Sequence, residues 1–121
     1  MRRLWAMVDV AIVLAFVAIG RSVHDHGAGL TGFASTAWPF VVGMSLGWLV
    51  LATRRSSGSS PGDGLVVALF TVGVGMVLRV LAGQGTALAF IVVALVFLGG
   101  AMIGWRTVLV VARRRFPRRS P

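Results

Sequence analysis

Four apolar runs constrain this chain more than any other feature. They cover about residues 4–20, 33–53, 65–81 and 87–111. Each is about 17–25 residues long, the length an α-helix needs to cross ~30 Å of hydrocarbon. In hydrocarbon every backbone polar group must find its partner within the protein, so helices are the expected element. Four such runs in 121 residues leave no room for a separate soluble domain. The expected fold is all-α, one integral membrane four-helix bundle spanning residues 1–121. Composition agrees. The chain is 57% hydrophobic, and its three acidic residues, Asp9, Asp25 and Asp63, are too few to help build a polar surface.

The first run follows Arg2-Arg3 and resembles a signal peptide. It is longer than a signal core, Asp9 interrupts it, and no small-x-small cleavage site precedes Arg21, so a retained span is expected. The second run carries Pro39 between one and two turns from its start. Proline there frees a carbonyl, which Ser35 or Thr36 is placed to satisfy. Residues 54–64, Arg-Arg-Ser-Ser-Gly-Ser-Ser-Pro-Gly-Asp-Gly, have linker composition.

The net charge is +9, and all twelve basic residues are arginine. Nucleic acid is not the expected partner, because the arginines sit in short clusters beside apolar runs and no basic face interleaves with aromatics. Membrane topology explains them better. Nine fall at the chain ends and in the 54–64 linker, whereas Arg21 and Arg79 fall on the opposite side. The positive-inside rule then places both termini and the linker in the cytoplasm of an inner-membrane protein. Arginine without lysine, beside abundant Ala, Gly and Val, suits a GC-rich bacterial genome. There is no cysteine, which excludes disulfides and thiolate chemistry.

The two halves resemble each other. Arg21 and Gly27 in the first match Arg79 and Gly85 in the second; Gly43, Gly47 and Trp48 match Gly100, Gly104 and Trp105. The offset slips by a single residue between the two sets. Duplication predicts two tandem helical hairpins related by a pseudo-two-fold axis along the membrane normal, as in some transporters. Chance recurrence of Gly and apolar residues is the alternative. The Gly-x-x-x-Gly pairs predict close helix packing, with the second and fourth spans touching within one chain or across a dimer. Trp48 and Trp105 read as interface anchors.

Asp9 and Arg106 are the most informative ionisable residues. Asp9 lies roughly 9 Å along a helix from Arg3, and Arg106 roughly 10 Å from Arg113, so both belong at similar depth. A lone charge there costs ~2.5–3.5 kcal/mol. An intramembrane Asp9–Arg106 ion pair is therefore expected, fixing helix packing or, alternatively, forming a proton or substrate site. In a third reading the two side chains snorkel apart.

On the other side, Arg21, His24, Asp25 and Arg79 form an outer-face polar cluster. Arg21 and Arg79 either bracket an anionic group or snorkel at helix ends, with Asp25 partly neutralising Arg21. His24-Asp25-His26 invites a metal reading, but two histidines at i, i+2 with no further ligand do not complete a site, so no metal or cofactor is expected. The C-terminal arginines either lie on anionic lipid or simply enforce topology.

Gly20-Arg21-x-x-His24, Trp38-Pro39-Phe40, Gly47-Trp48, Gly75-Met76-x-x-Arg79, Gly85-Thr86 and Gly104-Trp105-Arg106 together resemble an uncharacterised family, domain-of-unknown-function family 3054. The resemblance runs from about Met7 to Arg106. It implies four spans and marks Arg21, His24, Arg79 and Arg106 as pattern positions, with no activity attached. His26 and the arginine tail fall outside the pattern. The expected function is a structural or accessory membrane component. Its partners would be membrane lipids and a second copy or another membrane protein. The alternative is a small transporter or channel subunit using Asp9 and Arg106. An enzyme ranks last, because no nucleophile or acid–base pair can be named.

Overall fold

The structure is a computed structural model that describes residues 2–23 and 30–116, with side chains over 2–21 and 32–116. Every regular element among them is helical. Helices α1 (Arg2–Val23), α2 (Leu30–Thr53) and α3 (Pro61–Leu81) form the first three candidate spans. The fourth span is α4 (Leu88–Ala94), a π-helical turn (Leu95–Gly99) and α5 (Gly100–Arg115). All four spans are long and apolar enough to cross a membrane. Large apolar side chains such as Leu81, Leu88 and Val96 point outward, which suits a surface solvated by lipid rather than water.

The helix ends differ from the sequence boundaries for local reasons. α3 starts at Pro61, not near Leu65, because Ser60 caps it. The Ser60 hydroxyl accepts from the Asp63 backbone N–H, the Asp63 carboxylate accepts from the Ser60 backbone N–H, and Pro61 occupies the first turn. α5 continues to Arg115 because arginines in a last turn favour the negative end of the helix dipole. α2 closes with Arg55 in the left-handed region (φ 55°) while the Ser56 N–H reaches back to Leu51 O at 3.0 Å. The expected linker is therefore not loose: Gly58 and Ser59 are buried.

The core runs along the bundle axis through Val13 and Phe16 of α1, Phe40 and Met44 of α2, Val72 and Met76 of α3, and Ala94, Leu98 and Met102 of the fourth span. Toward the 82–86 turn, Phe16 packs edge-on against Phe40 at 5.6 Å and tilted against Phe97 at 5.4 Å.

The Gly-x-x-x-Gly expectation needs correction. Gly43 and Gly47 lie against α3, not against the fourth span. A Cβ on Gly43 would meet Thr71 O at 2.9 Å, and one on Gly47 would meet Val67 Cα at 3.0 Å. The short loop makes α2 and α3 antiparallel neighbours, so the small residues serve that contact. Gly100 and Gly104 would meet nothing within 4 Å. We expect Gly43→Val to lower unfolding stability by about 1–3 kcal/mol, since backbone atoms cannot yield to the new methyls. Gly104→Ala should stay within about 0.5 kcal/mol. Reversible unfolding in mixed micelles measures both.

The π turn was not legible in the sequence. It has a clear consequence. Steps of four residues overshoot a regular α-helical turn by roughly 40° each. One widened turn absorbs part of that drift. Ala94, Leu98, Met102 and Arg106 thereby all stay inward, each at 0% exposure.

Candidate functional site

Asp9 sits two turns inside α1 and Arg106 on the core-facing line of α5. They form an ion pair, Arg106 Nη2 to Asp9 Oδ2, at 2.6 Å, with both side chains at 0% exposure. The contact is two-pronged, because Arg106 Nη1 also donates to Asp9 Oδ1 at 3.1 Å. Each carboxylate oxygen takes one further bond from an indole. Trp48 Nε1 donates to Oδ2 at 2.9 Å and Trp105 Nε1 to Oδ1 at 3.0 Å. The carboxylate therefore accepts four hydrogen bonds.

The guanidinium is held as firmly. Its Nε donates to Gly58 O at 2.7 Å and its Nη1 to Met102 O at 2.9 Å. It lies 4.3 Å from the Trp105 ring centroid and 5.9 Å from that of Trp48. Trp5 stacks on Trp105 at 5.4 Å.

The 56–60 loop completes this centre, and its own sequence explains how. Asp63 caps α3 and also accepts from the Gly58 N–H at 3.1 Å. That bond orients the Gly58 peptide so that its carbonyl meets Arg106. Gly58 has φ 87°, and a Cβ there would run into the Trp48 ring. Gly64, one turn into α3, lies where a Cβ would meet Arg106 Cδ at 2.9 Å.

No buried side-chain N or O among the described residues lacks a partner. A ligand reaching the carboxylate would have to displace several of those bonds in a dry site. The arrangement favours rigidity over exchange.

Trp48, Trp105 and Gly58 were not read as part of any site from the sequence. A signal for the first two existed. An indole N–H can only donate, and two indoles at depths near a lone carboxylate are natural donors for it.

The opposite end of the bundle holds a second polar group. Arg21 Nη1 donates to Thr36 Oγ1 at 2.8 Å, and that hydroxyl donates to Gly32 O at 3.1 Å. Arg79 donates through Nε and Nη2 to Gly85 O at 3.2 and 2.8 Å, and through Nη1 to Gln84 Oε1 at 3.0 Å. Its guanidinium also rests 4.5 Å from the Phe90 ring centroid.

The Gln84 amide then donates to Ser35 O at 3.0 Å. This is the carbonyl that Pro39, having no N–H, leaves without its helical donor. The freed group is thus satisfied by a residue from the other hairpin, not by Ser35 or Thr36. Arg21 and Arg79 line one cavity of about 720 Å³. His24, Asp25 and His26 lie outside the described residues. Among the described residues, no three His, Cys, Asp or Glu side chains come together as a metal would require.

The family described as proteins of unknown function, DUF3054, matches residues 6–109 of the chain. No curated protein and no solved structure matches it.

Proposed function

The chain belongs to the DUF3054 family of proteins of unknown function, and from that premise we propose that it is a structural or accessory component of the membrane, with Asp9–Arg106 as an internal pin that fixes helix packing. One observation carries the reading: both members of the pair are at 0% exposure, and their polar atoms are taken up by Trp48, Trp105, Gly58 and Met102. A carrier site must meet its cargo or a proton from at least one side. The transporter reading built on Asp9 and Arg106 is disfavoured on that ground.

In this proposal the protein crosses the inner membrane four times, with both termini and the 54–60 loop in the cytoplasm. Support comes from the arginine bias of the loops. The two hairpins descend from one duplicated unit. Support for that is the pairing of Trp48 with Trp105, equivalent positions that each donate to the same carboxylate. Gly100 and Gly104, where an added Cβ would meet none of the described residues within 4 Å, present a smooth face to a second copy or another membrane protein.

The test is a reconstituted proton gradient. Proteoliposomes enclosing a pH-sensitive dye should hold an imposed gradient as well as empty vesicles do, and Asp9→Asn should change nothing. Dissipation that Asp9→Asn abolishes would replace this reading with the transporter.

A further inference from the structure

We propose that the cavity at the 82–86 end binds an amphiphilic anion, a phosphate-type headgroup carrying an apolar tail. The observations are independent of the Asp9–Arg106 pin. The cavity, of about 720 Å³, lies within the range of small-molecule sites and is polar at one end and apolar at the other. Arg21, Arg79, Thr36 and Gln84 supply the polar lining. Phe16 and Phe90 supply the aromatic walls, and Val93 continues the apolar lining along α4.

The donors left open on Arg79 point to an anion. Arg21 lines the same cavity and is engaged there by Thr36 through Nη1. A guanidinium has five N–H donors. Arg79 uses three, on Gly85 and Gln84. The two others have no partner among the described residues, and a phosphate oxygen pair matches such a fork. Arg79 is also steadied from behind by the Phe90 ring and by the Gln84–Ser35 bond that ties its loop to α2. The donor is thus pre-positioned, which lowers the ordering cost of binding.

The apolar end points to a tail. The main contacts of α1 with the fourth span are with the π turn and α5, below Ala94. Above that level Arg21 and Gly20 of α1 stand across the cavity from Ala89 and Val93 of α4. Val93 is 55% exposed, so the gap reaches the lipid-facing surface. A chain attached to the bound headgroup can leave sideways between α1 and α4.

Purified protein in neutral detergent, titrated with phosphatidylglycerol, phosphatidylcholine or inorganic phosphate, tests this by native mass spectrometry and by unfolding temperature. One phosphatidylglycerol per chain should bind saturably and raise the unfolding temperature. Phosphatidylcholine and inorganic phosphate should do neither. Arg79→Gln should weaken binding by roughly tenfold or more, the loss of a charge-assisted contact. Val93→Trp, which fills the apolar limb and leaves both arginines in place, should remove it. Equal binding of the two lipids, or phosphatidylglycerol binding unchanged in Val93→Trp, would overturn the proposal. So would inorganic phosphate acting alone, which would make the tail irrelevant. Should Arg79→Gln fail to fold, Val93→Trp and the ligand series decide the matter by themselves.

Discussion

Replacing Arg106 by glutamine is expected to lower the unfolding free energy by about 3–5 kcal/mol, the usual consequence of removing one partner from a buried ion pair. The carboxylate of Asp9 would keep its two indole donors but lose both guanidinium contacts, at 2.6 and 3.1 Å. Gly58 O would lose its side-chain donor in the same step, while Met102 O would keep its helical N–H. Two groups, the carboxylate and the Gly58 carbonyl, are therefore left short by one substitution. Reversible unfolding in mixed micelles, followed by tryptophan fluorescence, gives the number. Arg106→Lys should not rescue. An ammonium cannot present a planar fork to both oxygens while reaching the Gly58 carbonyl.

Gly58→Ala is expected to be the next most damaging change, at about 2–5 kcal/mol. Holding an alanine in a left-handed conformation accounts for about 1–2 kcal/mol. Driving its methyl into a packed ring adds about 1–3 kcal/mol. The ring in question is Trp48, whose indole donates to Asp9 at 2.9 Å. The methyl should therefore push Trp48 off the carboxylate, and a shift in tryptophan emission should accompany the loss of stability. Trp48→Leu in the same chain should relieve the clash, so that the double variant loses less than the two single losses added together. Simple addition would mean that the glycine acts through its backbone alone.

Much of this architecture can be read directly from residues. Apolar runs of membrane-spanning length specify four helices, because hydrocarbon admits little else. Asp9 and Arg106 stand out because each is a lone charge at a similar depth in an apolar run. What pattern could not supply is the coordination around them. The Ser-rich stretch 56–60 has the composition of a spacer, yet the Ser60–Asp63 cap folds it under the bundle and brings Gly58 to Arg106. That cap has a known local signature, but its consequence is a contact with a residue on another span. Trp48 and Trp105 suit an interfacial belt and a buried donor pair equally well by type and depth. Only the packing of α1 between them decides.

The glycine pairs illustrate the same limit. Gly43-x-x-x-Gly47 indicates close approach but not the partner, and the short loop to α3 determines it. Likewise Pro39 announces a freed carbonyl, while the donor, Gln84, comes from a turn that has no local reason to be near. The π turn has no composition signal of its own. It is legible only afterwards, in the inward line from Ala94 to Arg106.

The central claim is that Asp9 and Arg106 act as one structural unit. A double-mutant cycle of Asp9→Asn and Arg106→Gln on unfolding stability tests it most directly. The pin predicts that each single variant loses several kcal/mol and that the double variant is more stable than the worse single one, because neither charge is then left alone in the core. Losses that simply add would contradict the account.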